Sequence, residues 1–102
     1  MNNEQKLLNL LGLAQRAGKV ISGEGMVVEA IRSQKIPYLV LIASDAGANT
    51  KKKVQDKSHY YHVPCALFAT SLQLSQALGK KRTVIAITDA GFAKKMKQLL
   101  NY

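Results

Sequence analysis

Gly23 and Gly25 follow a short apolar run, Lys19-Val20-Ile21-Ser22, and precede a stretch in which Val27, Ala30 and Ile31 recur at helical spacing. A strand, a glycine turn and a helix start in that order can hold a phosphate. The first amides of a helix lack partners within it, and glycine lets a backbone approach closely. A dinucleotide site would continue the spacing as G-x-G-x-x-G, but its third glycine position holds Val28, and Glu24 would set a carboxylate beside the pyrophosphate. No lysine–serine pair of the P-loop type follows. The glycine pair alone therefore does not specify a nucleotide site.

Two other constellations carry chemistry-bearing residue types. His59, His62 and Cys65 are spaced three apart, but they cross from a helix end into a strand and lack the fourth ligand of a structural zinc site. Asp45 and Asp89 follow strands, where carboxylates act in many α/β enzymes; a turn role explains the first and helix capping the second. No catalytic residue, metal, cofactor or enzymatic activity is expected.

The basic residues say more. The chain of 102 residues carries 15 Lys and Arg against 6 Asp and Glu, a formal charge of +9 with a pI near 9.9. Such a balance points to a polyanion, whose counterions a basic surface releases. Arg16 and Lys19 flank the entrance to the glycine stretch, Arg32 and Lys35 its exit, and further groups are Lys51-Lys52-Lys53, Lys80-Lys81-Arg82 and Lys94, Lys95 and Lys97. Positive charge near the C-terminus of a last helix needs no explanation, whereas Lys51 to Lys53 are expected in a first turn, where the helix dipole disfavours them. An anionic ligand would compensate. No recognition helix rich in Arg, Asn and Gln offers itself to a DNA major groove, and the aromatics are too scattered for a base-stacking sheet. Recognition of a folded RNA by its shape remains. The single Cys65 excludes an internal disulfide and fits a reduced, cytoplasmic setting. No signal peptide and no apolar run of the roughly 20 residues that a membrane helix needs is visible, so no membrane partner is expected.

The elements that must position these residues alternate along the chain. Helices are expected over 4–17, closed by Gly18; from a Ser22 cap to about Lys35; from an Asn49 or Thr50 cap to about His59; from a Ser71 cap to Gly79; and from an Asp89 cap to the end, with Phe92, Met96, Leu99 and Leu100 inward. Strands are expected at 19–22, 38–43, 63–69 and 82–88; the apolar run 38–43 suits a strand covered on both faces, and 82–88 is expected as the last buried strand. The fold class is α/β: a three-layer α/β/α sandwich around a mixed sheet of about four strands, forming one domain over 1–102.

The segments "GLAQRAGKVISGE", "DAGANTKKKV" and "ITDAGFA", within a likeness spanning nearly the whole chain, resemble the YlxQ-type bacterial members of the ribosomal protein L-seven-Ae family, which bind kink-turn RNA. The resemblance implies the same α/β/α sandwich and a structured RNA partner, kink-turn or ribosomal, taken up by a monomer that is ribosome-associated. It places RNA at the first turns of the second helix and at the loop after the third strand. The RNA-facing residues it implies are Lys19, Ser22, Gly23, Glu24, Gly25, Met26, Glu29, Arg32, Lys51 and Lys52, with Phe68, Ala69, Thr70 and Ser71 from the loop. The family's helix pattern is Gly-x-Asn-Glu-x-x-Lys. With its glycine on Gly23, the Asn falls on Gly25, the Glu on Met26 and the Lys on Glu29. All three signature side chains are replaced, so the alternative expectation is a protein-interaction or assembly module of the same fold that has lost specific RNA recognition.

Overall fold

The computed structural model describes residues 2–33 and 37–102; Lys35 lies outside them. Its elements run α1 (Asn3–Arg16), β1 (Val20–Ser22), α2 (Glu24–Arg32), β2 (Leu39–Ile42), α3 (Ala48–Tyr60), β3 (Cys65–Leu67), α4 (Ser71–Leu78), β4 (Val84–Ile87) and α5 (Ala90–Leu100). The four strands form one mixed sheet in the order β1-β4-β2-β3. β4 pairs antiparallel with both β1 and β2, and β2 pairs parallel with β3.

All four residues of β2 and all four of β4 are buried, which requires cover on both faces of the sheet. One layer is α1 packed against α4 and α5, and the other is α2 packed against α3. Leu7 and Leu11 of α1, Leu74 of α4 and Met96 of α5 are fully buried, as are Val27 and Ile31 of α2 and Val54 of α3. Each such side chain contributes roughly 1.5–3 kcal/mol of burial, so the fold stands on the two central strands and these helix faces. The α/β/α expectation holds.

The pairing register gives the molecule two distinct ends. Ser22 faces Ile85, Ile42 faces Val84, and Leu67 lies beside Ile42. The C-terminal ends of β1, β2 and β3 therefore gather at one end with the start of β4. The chain leaves that end into α2, α3 and α4, and enters it through residues 79–83. This is the Gly23 end. At the other, Val20 and Leu39 both face Ile87.

Several local expectations are corrected. Ser22 does not cap α2: the cap residue is Gly23, at φ 99° and ψ 139°, without a side-chain bond. Neither Asn49 nor Thr50 caps α3, which begins earlier behind Gly47. Lys51 to Lys53 thus lie in its second turn, where the dipole has largely faded. Thr70, not Ser71, caps α4, through a reciprocal capping box with Gln73. β3 is shorter than residues 63–69, because His62 and Ala69, both with φ near 59°, break the extended chain on either side. Gly18 and Gly79 end α1 and α4 with positive φ, and Asp89 caps α5 by accepting from the Phe92 amide, all as expected.

Candidate nucleic-acid interface

Three helices start at the Gly23 end, and their first turns differ. At α4 the Thr70 hydroxyl accepts from the Gln73 amide, and Asp45 Oδ1 accepts from the Ser71 amide at 2.8 Å. The Ser71 hydroxyl donates to Asp45 Oδ2, so that helix start is closed by its own chain. The Ser71 amide, then burial acting the other way, set the Asp45 carboxyl below its ordinary range. By contrast, α2 and α3 start behind Gly23 and Gly47 with no side-chain cap. Their first-turn amides are the ones an outside anion can take.

The uncapped pair is clasped together. Thr50 Oγ1 in α3 donates to Glu24 Oε1 in α2 at 2.6 Å, and Lys53 Nζ reaches Glu24 Oε2 at 3.4 Å. The Thr50 hydroxyl first, and then the Lys53 ammonium, hold the Glu24 carboxyl below its ordinary value. A depressed carboxyl stabilises the fold above its unfolded pKa, and that share is lost as pH falls through the lower folded pKa. Acid titration of stability should therefore be shallower in Glu24→Gln than in the parent below about pH 4.5. Superimposable acid limbs in urea melts of the two proteins would mean the clasp is energetically silent.

Arg82 completes this end. Its Nε donates to Ser22 Oγ at 3.1 Å, and Nη1 donates to the Lys81 carbonyl at 2.7 Å. The guanidinium lies beside Gly23, its Nε 3.8 Å from where a Cβ would stand. Lys80 and Lys81 are exposed just ahead of it. Met26 and Leu72, in the first turns of α2 and α4, are 65% and 66% exposed, an unusual pair of apolar side chains beside so much charge.

The family model described as "Ribosomal protein L7Ae/L30e/S12e/Gadd45 family" matches residues 5–97. The chain belongs to that family. It is 51% identical over 98 residues to the RNA-binding protein YlxQ of Enterococcus faecium, covering 96% of this chain and 94% of that protein. It is 48% identical over 93 residues to the RNA-binding protein YlxQ of Bacillus subtilis (strain 168), covering 90% and 92%. Among solved structures, a protein of unknown function from Bacillus halodurans matches with a TM-score of 0.89 at 42% identity, over 95% of this chain and 98% of that one. A 15.5kD RNA binding protein from Giardia lamblia shares the fold, with a TM-score of 0.74 at 20% identity over 95% and 89%.

Against this family frame, the expected site residues divide. Ser22, Gly23, Glu24, Gly25, Met26, Lys51, Lys52, Ala69, Thr70 and Ser71 all belong to the Gly23 end. Lys19 does not: it precedes Val20 at the opposite end of β1, where its carbonyl accepts from the Thr88 amide. Arg32, the last residue of α2, is likewise remote and is paired with Glu29 at 3.1 Å. Phe68 is 7% exposed and part of the core, so of the loop after β3 only Ala69 and Thr70 are offered to a partner beside the engaged Ser71. Lys52 pairs with Asp56 and Lys53 with Glu24, which supplies part of the compensation that the sequence left to a ligand; the Lys53 side chain stays 56% exposed.

Arg82 and Thr50 were not anticipated as site residues. The signal for Arg82 is the antiparallel placement of β4 between β1 and β2, which carries the start of "RTVIAIT" to Ser22. Among the described residues no group of three His, Cys, Asp or Glu is gathered to hold a metal ion. No described helix is long and apolar enough to cross a membrane.

Proposed function

We propose that this protein is a non-enzymatic RNA-binding protein, a single domain acting as a monomer in the cytoplasm, that takes a structured, kink-turn-like RNA on its Gly23 end in a ribosome-associated role. The carrying observation is the clasped pair of uncapped helix starts, α2 and α3, flanked by Lys80, Lys81 and Arg82. Backbone amides and cations of this kind hold phosphates at fixed positions without reading sequence, which suits recognition by shape. Leu72 supplies apolar contact for bases that a bend has unstacked. The names of the two YlxQ relatives support an RNA partner.

The test is titration against a kink-turn RNA and a straight duplex of equal length at two salt concentrations. The kink-turn should win at both. The double variant Lys80→Ala and Lys81→Ala should lower the slope of log K against log salt by about 2, roughly one for each phosphate no longer neutralised. Equal binding of both RNAs that collapses with salt would leave only a basic surface, and the protein-interaction module would become the better account.

A further inference from the structure

The end of the molecule opposite Gly23 carries a cavity of about 550 Å³ between the C-terminal ends of α2 and α3 and the beginnings of β2 and β3. Ile31 and Val63 contribute to its apolar lining, and Tyr38, Tyr60, Tyr61 and His62 surround it. The size lies within the range of small-molecule sites, which is about 300–1,000 Å³. Tyr60 and Tyr61 stand edge to face, with ring centroids 4.9 Å apart and planes at 80°. That packing takes the edge of one ring and one face of the other, and Tyr60 remains 72% exposed. Large aromatic side chains left this open beside a cavity are unusual on a protein surface, where tyrosine commonly buries its ring.

What approaches the cavity narrows its occupant. Lys53, Lys57 and Tyr60 follow at i, i+4 and i+7 on one face of α3, and they line an adjoining depression with Asp56 and Tyr61. This face begins at the Lys53–Glu24 pair and runs over the second half of α3, about 10 Å from Lys53 to Tyr60. It joins the candidate RNA interface to the aromatic cavity by a path of two lysines. At the cavity itself the helix ends are carbonyl ends, which carry partial negative charge and repel a phosphate. They suit a neutral planar group bearing amino hydrogens. A phosphate chain along Lys53 and Lys57, with a base turned into the cavity, satisfies both ends of the path.

We propose that this cavity is a second nucleic-acid site, in which an unpaired base of single-stranded RNA stacks on Tyr60 while the adjoining phosphates lie along Lys53 and Lys57. It rests on the proposed function only in taking the polyanion to be RNA. An unstructured strand leaving the RNA held at the Gly23 end would reach it along α3. Stacking of one base on an aromatic ring changes affinity by about 1–3 kcal/mol, or fivefold and upward.

The probes are a single-stranded adenylate octamer and the kink-turn RNA, each titrated separately while ring-proton resonances of the tyrosines are followed. With the octamer, the rings of Tyr38, Tyr60 and Tyr61 should shift. Tyr60→Ala should weaken octamer binding at least fivefold and Tyr60→Phe should retain it, while kink-turn affinity stays unchanged in both. Because Tyr60 is so exposed, neither variant should disturb the fold. Unmoved rings, or an octamer bound equally by Tyr60→Ala, overturn the second site. So does a response of the rings to arginine amide but not to the octamer, which would make the cavity a cation cage. Kink-turn binding without an octamer response removes this site alone. An octamer response without kink-turn preference removes the reading of the Gly23 end and leaves the cavity standing.

Discussion

Gly23→Ala is expected to destabilise the protein by about 2 kcal/mol, the usual cost of forcing a side chain into a backbone region reserved for glycine. The reason is conformational. At φ 99° and ψ 139° an L-residue is strained whatever space surrounds it, and the Arg82 guanidinium would stand only in ordinary contact with the new methyl group. Relaxation is blocked from both sides. The Gly23 amide donates to the Val84 carbonyl at 2.9 Å, which fixes the end of the sheet, and its carbonyl accepts from the Val27 amide, which fixes the start of α2. For a domain of this size the loss corresponds to a fall in Tm on the order of 10 °C. Gly25→Ala is the matched control. It sits in the helix with an ordinary φ and nothing within 4 Å of a Cβ, so alanine should be neutral or stabilising by up to about 1 kcal/mol. Thermal unfolding of the two variants side by side decides the matter, and equal Tm values would mean that the Gly23 turn can reshape itself.

The contrast between these two glycines shows what a sequence reveals and what it hides. Both were legible as a turn entering a helix, but only the fold shows which one bears the positive φ. The central strands were legible because each is buried on both faces, so its residues are apolar without interruption, as in Leu39 to Ile42 and Val84 to Ile87. Their order was not. β4 is last in the chain yet lies between β1 and β2, a pairing set by long-range packing that no local pattern encodes. The meeting of Arg82 with Ser22 is hidden from the sequence for the same reason.

The misplaced caps share one cause. Ser22, Thr50 and Ser71 have the side chains that helix starts favour, and each was expected to bond its own neighbourhood. Each is instead engaged far along the chain: Ser22 with Arg82, Thr50 with Glu24, and Ser71 with Asp45. A hydroxyl's preference for a cap is worth about 1 kcal/mol, small enough for tertiary partners to redirect it. The consequence is functional. With their hydroxyls drawn away, α2 and α3 begin on glycine and leave their first amides uncovered, while the clasp keeps the two starts side by side.

That geometry gives the departures from the family helix pattern a testable meaning. Gly25 and Met26, which stand where the resemblance implies Asn and Glu, are exposed in the first turn of α2. A Cβ at position 25 meets nothing within 4 Å, and Met26 is 65% exposed, so polar side chains fit both places without repacking. The double variant Gly25→Asn and Met26→Glu should therefore fold as the parent does. A carboxylate at position 26 also lies at the positive end of the α2 dipole, which favours it. If the Gly23 end holds kink-turn RNA, the variant gains acceptors for guanine at a site already shaped for the bend. One charge-assisted hydrogen bond is worth about 1.5–3 kcal/mol, so affinity for kink-turn RNA should rise tenfold or more. Affinity for a straight duplex should fall slightly, because the added carboxylate lies near phosphates and makes no compensating bond there. A gain confined to the kink-turn would show that the parent end is built for bent RNA and lacks only its base-reading groups. No gain, in a variant with unchanged stability, would place the RNA's guanines elsewhere and count against a kink-turn on this surface.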